Sequence, residues 1–178
     1  VIQRTSDEQF ERMLEVHLVA AFRVLRAAIR PIQAAARTEA ATGREVFRKV
    51  VNVSSLVASS GNAGQAAYGS AKAGLEGLTR TLAKEWGRYR VNVNCVAFGL
   101  IETRLVVPAG APEATLAVDG RTVGIGVNPS FLEEARARIP LGRLGTPEEA
   151  AGAIFLLCTP ESNYVSGQTL VCAGGLTV

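Results

Sequence analysis

Residues 50–98, "VVNVSSLVASSGNAGQAAYGSAKAGLEGLTRTLAKEWGRYRVNVNCVAF", place two β-branched runs on either side of a helical pattern. "VVNVSS" is short and flanked by polar sequence, so it reads as a strand ending at Ser54 or Ser55. The small-residue stretch "GNAGQ" follows as a loop. From about Ala66, the residues Leu75, Leu78, Leu82 and Trp86 fall on one face of a helix. "VNVNCVAF" then reads as a second strand. Strand, loop, helix and strand in that order form a βαβ unit, whose crossover is right-handed and whose strands are parallel. The fold class is therefore α/β.

Working outward toward the N-terminus, Ser6 is suited to cap a helix, with Gln9 three residues on as the return partner of a capping box. Phe10, Met13, Leu14, His17, Leu18, Ala21, Phe22, Leu25, Ala28, Ile29 and Ile32 then recur at steps of three and four and form one apolar stripe. Pro31 is expected to bend or end this helix, and "TEAATGRE" at residues 38–45 reads as loop. Toward the C-terminus, residues 106–129 form a long excursion without helical period, and loops of such length commonly cover a substrate. Within it Asp119-Gly120 is a favoured hairpin signal. Helices are expected from Pro129 or Ser130 to about Ile139, and from Thr146, with Glu149 closing a capping box, to Cys158. "QTLVCA" is the last strand. We treat residues 1–178 as part of one domain, with a substrate-lid insertion at about 104–140.

Composition narrows the function classes. The 178 residues are 48% apolar and 20% charged, which suits one globular domain. The net charge is +3, yet no five basic residues are consecutive and aromatics are few, which argues against a nucleic-acid partner. Cys95, Cys158 and Cys172 are far apart, odd in number and set in apolar runs, and so suit buried thiols in a reducing compartment. One histidine and no C-x-x-C leave no ligand set for a metal. No run approaches the ~18 apolar residues of a membrane span, and the N-terminus shows no signal peptide, so a cytoplasmic location is expected. "GIGVN" lacks the third glycine of a dinucleotide fingerprint, and no G-x-S-x-G of a serine hydrolase occurs.

The chemistry centres on Tyr68 and Lys72. Four residues apart on a helix, they project from the same face near the end of the preceding strand, where ligands of open α/β sheets bind and where Ser55 sits. A phenol normally titrates near 10. An ammonium at ~4 Å contributes about 4 kcal/mol of Coulomb energy at an effective dielectric of 20, enough to make such a phenol a usable acid or base near neutrality. Serine can then hold a carbonyl oxygen by hydrogen bond. By itself the spacing is equally that of a pair on an amphipathic helix.

The wider context, "VVNVSSLVASSGNAGQAAYGSAKAGLEGLTRTLAKEW" followed by "RVNVNCVAFGLIET", then "PLGRLGTPEE" and "VSGQTL", resembles the short-chain dehydrogenase/reductase family, in particular its 3-oxoacyl-(acyl-carrier-protein) reductase branch. The resemblance runs over nearly the whole chain. It implies the C-terminal portion of a doubly wound, Rossmann-like parallel sheet, without the first strands and the glycine-rich loop. It implies that Tyr68 donates the proton in carbonyl reduction, that Ser55 orients the carbonyl, and that Lys72 tunes Tyr68 and binds the nicotinamide ribose together with it. Gly99, Ile101 and Thr103 would hold the nicotinamide of NADP or NAD. Two positions depart from the family pattern: His17 stands for its usual asparagine and offers a substitute in a proton relay, and Phe98-Gly99 replaces its Pro-Gly pair.

The expected activity is interconversion of a ketone and a secondary alcohol, with a small-molecule carbonyl or alcohol substrate or a carrier-bound 3-oxoacyl thioester. A second reading is a non-catalytic remnant serving as an oligomerisation or interaction module. The resemblance also implies a homodimer or homotetramer, and the incomplete sheet is expected to expose an apolar edge. Arg44, Arg48, Lys49, Arg88 and Arg90 flank the site-bearing elements; they suit either an acidic carrier protein or solvated helix ends.

Overall fold

The computed structural model describes residues 1–107, 109–111, 114–118, 120–124 and 126–176. The elements are α1 (Asp7–Leu14), α2 (Ala20–Ala41), β1 (Arg48–Ser55), α3 (Val57–Ser60), α4 (Ala66–Trp86), β2 (Val91–Phe98), β3 (Thr115–Val118), β4 (Arg121–Gly124), α5 (Pro129–Arg138), α6 (Pro147–Leu156) and β5 (Thr169–Cys172). They fall into two compact units, one of residues 1–97 and 153–171, the other of residues 98–152 with the described residues from Cys172 onward.

The first unit holds the sheet, a parallel one in the order β1-β2-β5. The first seven residues of β2 are all buried, which is why "VNVNCVAF" shows no alternation of apolar and polar residues. Its asparagines find partners in the chain that leads to β5: Asn94 donates to the Val165 carbonyl at 2.8 Å and accepts from the Gln168 N–H at 3.0 Å. β1 lies at the end of the sheet, and its Val53 is 41% exposed, the apolar edge expected from an incomplete sheet. On this sheet Leu25, Leu82, Trp86, Val91 and Val93 form the core, with Ile29, Ile32 and Leu78 packed against them.

The capping box at Ser6 and Gln9 is present. The expectation that residues 38–45 are loop is corrected over residues 38–41, and Pro31 does not end the helix: α2 runs through Pro31 to Ala41. Proline sacrifices one backbone hydrogen bond, but alanine-rich sequence beyond it propagates helix well, and Ile29 and Ile32 anchor both sides of it on the core. The true stop is Gly43, at φ +70, where its N–H reaches the Ala40 carbonyl and that of Arg44 reaches the Glu39 carbonyl. Cys95 is buried, but Cys158 is exposed, contrary to expectation, because it follows the last turn of α6 on its outer side beside exposed Phe155 and Leu156.

The second unit contains the hairpin β3–β4, in the register Val118 opposite Arg121, so the loop is the two residues read as its turn. Gly120 has φ +74, while Asp119 lies outside the described residues. α5 and α6 begin where the sequence indicates; Thr146 and Glu149 make the reciprocal capping bonds at 3.2 and 2.9 Å. Leu132, Ile139 and Leu144 are buried in this unit.

Candidate active site

α4 lies on β1 through three polar ties. Asn52 donates to the Thr79 hydroxyl at 2.9 Å, Ser54 donates to a carboxylate oxygen of Glu76 at 2.9 Å, and Lys72 donates from Nζ to the Val53 carbonyl at 2.8 Å. Thr79 is in turn tied to the Leu75 carbonyl. These bonds fix the rotation of α4 on the strand, so Lys72 is held against the last residues of β1, two positions before its terminal Ser55. The Ser55 hydroxyl oxygen accepts from the Val57 N–H at 3.4 Å, at the start of α3.

Small residues give α4 its close neighbours. A Cβ on Gly69 would stand 3.4 Å from a Val57 methyl, and one on Gly74 would meet Leu18 at 2.8 Å. Ala71 is fully buried. The approach of Leu18 matters because residues Glu15–Val19 form a single π-helical turn between α1 and α2, and π turns recur at functional sites. At its centre is His17, whose ring meets that of Tyr68 edge-to-face, with centroids 5.2 Å apart and planes at 89°. Arg23 donates to Glu15 across this turn.

Tyr68 is therefore flanked twice. Lys72 Nζ lies 5.6 Å from the centroid of its ring, within cation–π range, and His17 packs edge-to-face with it. Lys72 is only 8% exposed, and among the described residues no carboxylate forms an ion pair with it. Burial lowers its pKa from the ordinary lysine value. Burial first, and then the charge of Lys72, lower that of His17. Beneath them Cys95 is pushed up to about 11, chiefly by burial and next by Glu76. The Ser54–Glu76 and Asn52–Thr79 ties and the π turn at His17 carry no motif in the sequence; the i,i+4 step from Lys72 to Glu76 is a local signal for the first of them.

The structure thus gathers Tyr68, Lys72 and His17, and sets Lys72 beside the strand that ends in Ser55. Gly99, Ile101 and Thr103 belong to the second unit. There the Gly99 N–H donates to the Cys172 carbonyl at 3.0 Å, and a Cβ on Gly99 would stand 2.8 Å from that of Ala173, so only glycine fits. Ile101 bridges Gly145, and Thr103 accepts the Val106 N–H at 2.9 Å. The bidentate Arg143–Glu149 pair, at 2.7 and 2.6 Å, closes this segment; the Arg143 guanidinium brings Glu149 down to about 2.

Lys72 can serve a nicotinamide ribose: its ammonium has three donors and spends one on Val53, leaving two for a diol. No glycine-rich phosphate loop occurs in the 178 residues. Among the described residues no three His, Cys, Asp or Glu could hold a metal ion, and no helix is long and apolar enough to cross a membrane.

A family model described as enoyl-(acyl carrier protein) reductase matches residues 2–177. The chain is 33% identical over 176 residues to the 3-oxoacyl-[acyl-carrier-protein] reductase FabG of Vibrio cholerae, covering 99% of this chain and 61% of that protein. It is 34% identical over 180 residues to the FabG of Thermotoga maritima, covering 100% and 61%. Among solved structures, a 4-hydroxyisoleucine dehydrogenase mutant complexed with NADH and succinate superposes with a TM-score of 0.79 at 23% identity, covering 99% of this chain and 62% of that one. A short chain dehydrogenase from Bacillus anthracis does so with a TM-score of 0.67 at 27% identity, covering 98% and 58%. The chain spans about three-fifths of the length of the curated relatives it matches.

Proposed function

Because the chain belongs to the short-chain dehydrogenase/reductase family, we propose that it is the catalytic portion of an NAD(P)-dependent oxidoreductase that interconverts a ketone and a secondary alcohol. The observation that carries this reading is Lys72: a buried ammonium beside a tyrosine ring, with no carboxylate partner among the described residues, is costly to keep unless its charge is used. The nicotinamide, when bound, supplies the hydride to the carbonyl carbon. Tyr68 gives its phenolic proton to the carbonyl oxygen, and Ser55 donates a hydrogen bond to that oxygen and orients it. Lys72, fixed by Val53, binds the ribose hydroxyls and places positive charge beside the phenolate that remains. Gly99, Ile101 and Thr103 would hold the nicotinamide.

The relatives named for 3-oxoacyl thioester reduction favour that substrate class, carrier-bound or free. The exposed Val16, Phe22 and Val24 of the N-terminal helices favour assembly as a homodimer or homotetramer. The test is NADPH or NADH oxidation with a 3-oxoacyl thioester, run on the purified protein. Activity that vanishes in Tyr68→Phe supports the proposal. Inactivity with both cofactors, together with a stable oligomer by native mass, favours the interaction-module reading.

A further inference from the structure

At the amino ends of β1 and β2, opposite the end of β1 that carries Ser55, the first unit has a concavity of about 250 Å³. Arg37, Arg44, Arg88 and Arg90 line it together with Glu39 and Tyr89. Three of the basic residues that flank the site-bearing elements, Arg44, Arg88 and Arg90, thus gather at a place of their own, away from Tyr68. α4 separates the two: from Tyr68 to Trp86 it rises ~27 Å at 1.5 Å per residue, and Arg88 lies beyond its last turn.

We propose that this concavity is a second ligand site, for a small phosphate monoester with an apolar or aromatic body. Charge is the first argument. The four lining arginines and Arg48 carry five positive charges, and Glu39 and Glu45 carry two negative ones, a balance of +3. Both acids are already engaged: Arg48 grips both oxygens of Glu39 at 2.6 and 2.9 Å, and Arg90 Nε donates to Glu45 at 2.6 Å. The carboxyl ends of α2 and α4 together offset only about one charge. About two remain, and a phosphate monoester brings −1.5 to −2 near pH 7.

Backbone conformation is the second argument. Arg90 is the one non-glycine residue among those described with positive φ, at 53°. Glycine takes this conformation freely, whereas another residue there costs about 1–2 kcal/mol. Its own bond to Glu45 aims the guanidinium, so the strained position is occupied by an oriented fork rather than by the residue the backbone favours. The third argument is shape. The Arg88 guanidinium stacks 5.5 Å over the Tyr89 ring, which leaves its donor edge open, and Ala36, Ala40 and Val46 supply apolar wall. The volume falls below the ~300 Å³ at which drug-sized sites begin, so a dinucleotide does not fit.

The probe is phenyl phosphate, titrated calorimetrically into the purified chain at low salt, with inorganic phosphate and phenol as partial mimics. The expected result is saturable binding at one site, stronger than for either mimic, and weakened at least about tenfold by R44A/R88A. The double variant R44K/R88K keeps the charge and loses the forks; binding intermediate between wild type and R44A/R88A, with an unchanged circular dichroism spectrum, supports the assignment and separates it from misfolding. Lys72→Met, at the other end of α4, leaves the affinity unchanged. Absence of saturable binding, equal affinity in R44A/R88A, equal affinity for inorganic phosphate, or loss of binding in Lys72→Met overturns it.

Discussion

At the first turns of α4 a single cation, Lys72, is taken out of water and given one carbonyl, whereas past its last turn several arginines stand in water around a concavity. Burial makes a charge costly and its position exact; exposure makes it cheap and adjustable. The same helix therefore carries a rigid centre at one end, suited to bond making, and a soft field at the other, suited to attracting an anion. The two ends differ in neighbours as well. His17 and Tyr68 pack ring to ring, and Asn52, Ser54 and Val53 tie the helix to β1, while Arg88 stacks on the adjacent Tyr89.

The largest effect separating the ends is catalytic. Tyr68→Phe keeps the ring and its contacts but removes the proton, so kcat of the active protein is expected to fall roughly 10²- to 10⁴-fold with no change in thermal unfolding. Lys72→Met is expected to lower turnover too while leaving the melting temperature level or raised, because it replaces a buried charge, with no counter-ion among the described residues, by an apolar chain of similar length. A Lys72→Met protein that melts early would show that the Val53 bond outweighs the desolvation, and would break the comparison at its root. Next in size is Ser54→Ala. It leaves the largely buried Glu76 carboxylate without its hydroxyl donor, for a loss of about 1–3 kcal/mol, read as a melting shift of about 2–4 °C per kcal/mol at this chain length.

The rigid end was the more legible one in sequence. Strand, loop and helix at residues 50–86 follow from β-branched and helical periods, and the four-residue step of Tyr68 and Lys72 places both on one face before any coordinates are known. Capping boxes at Ser6 and Thr146 announce two helix starts, because a side chain that satisfies an orphan N–H leaves a local pattern. Features settled by packing left none. The π turn at His17 and the passage of α2 through Pro31 are decided by what the helix lies on, and the Arg37–Arg90 concavity joins residues far apart in sequence. Cys158 misled for the same reason: an apolar run tells that a segment has a buried face, not which residue faces out.

A smaller effect sharpens the rigid end through pH. Burial and Lys72 hold the His17 pKa below the ordinary 6.5, so the folded protein binds this proton less readily than the unfolded chain. Below the unfolded value the unfolded state takes up the proton first, and stability is lost as pH falls through and below that value. Melting temperature measured from about pH 7.5 down to pH 5.5 should therefore decline, and the decline should flatten in His17→Gln. An identical slope in the two proteins would remove His17 from the account of Tyr68.

The smallest effect belongs to the arginine end. If its cations are solvated and held for a ligand rather than for the fold, Arg44→Ala should change stability by no more than about 0.5 kcal/mol, the scale of ordinary surface substitutions, and Arg88→Ala by no more than about 1 kcal/mol. Arg88 has more to lose than Arg44, since its stacking on Tyr89 contributes about 0.5–1 kcal/mol at an exposed site. Relief of repulsion among neighbouring guanidinium groups opposes that loss and grows as salt is withdrawn. The sign of the Arg88→Ala effect should thus turn from slightly destabilising at high salt toward neutral or stabilising at low salt. A uniform loss at every salt concentration would mean that Arg88 supports the fold, and the contrast between the two ends of α4 would then be one of degree.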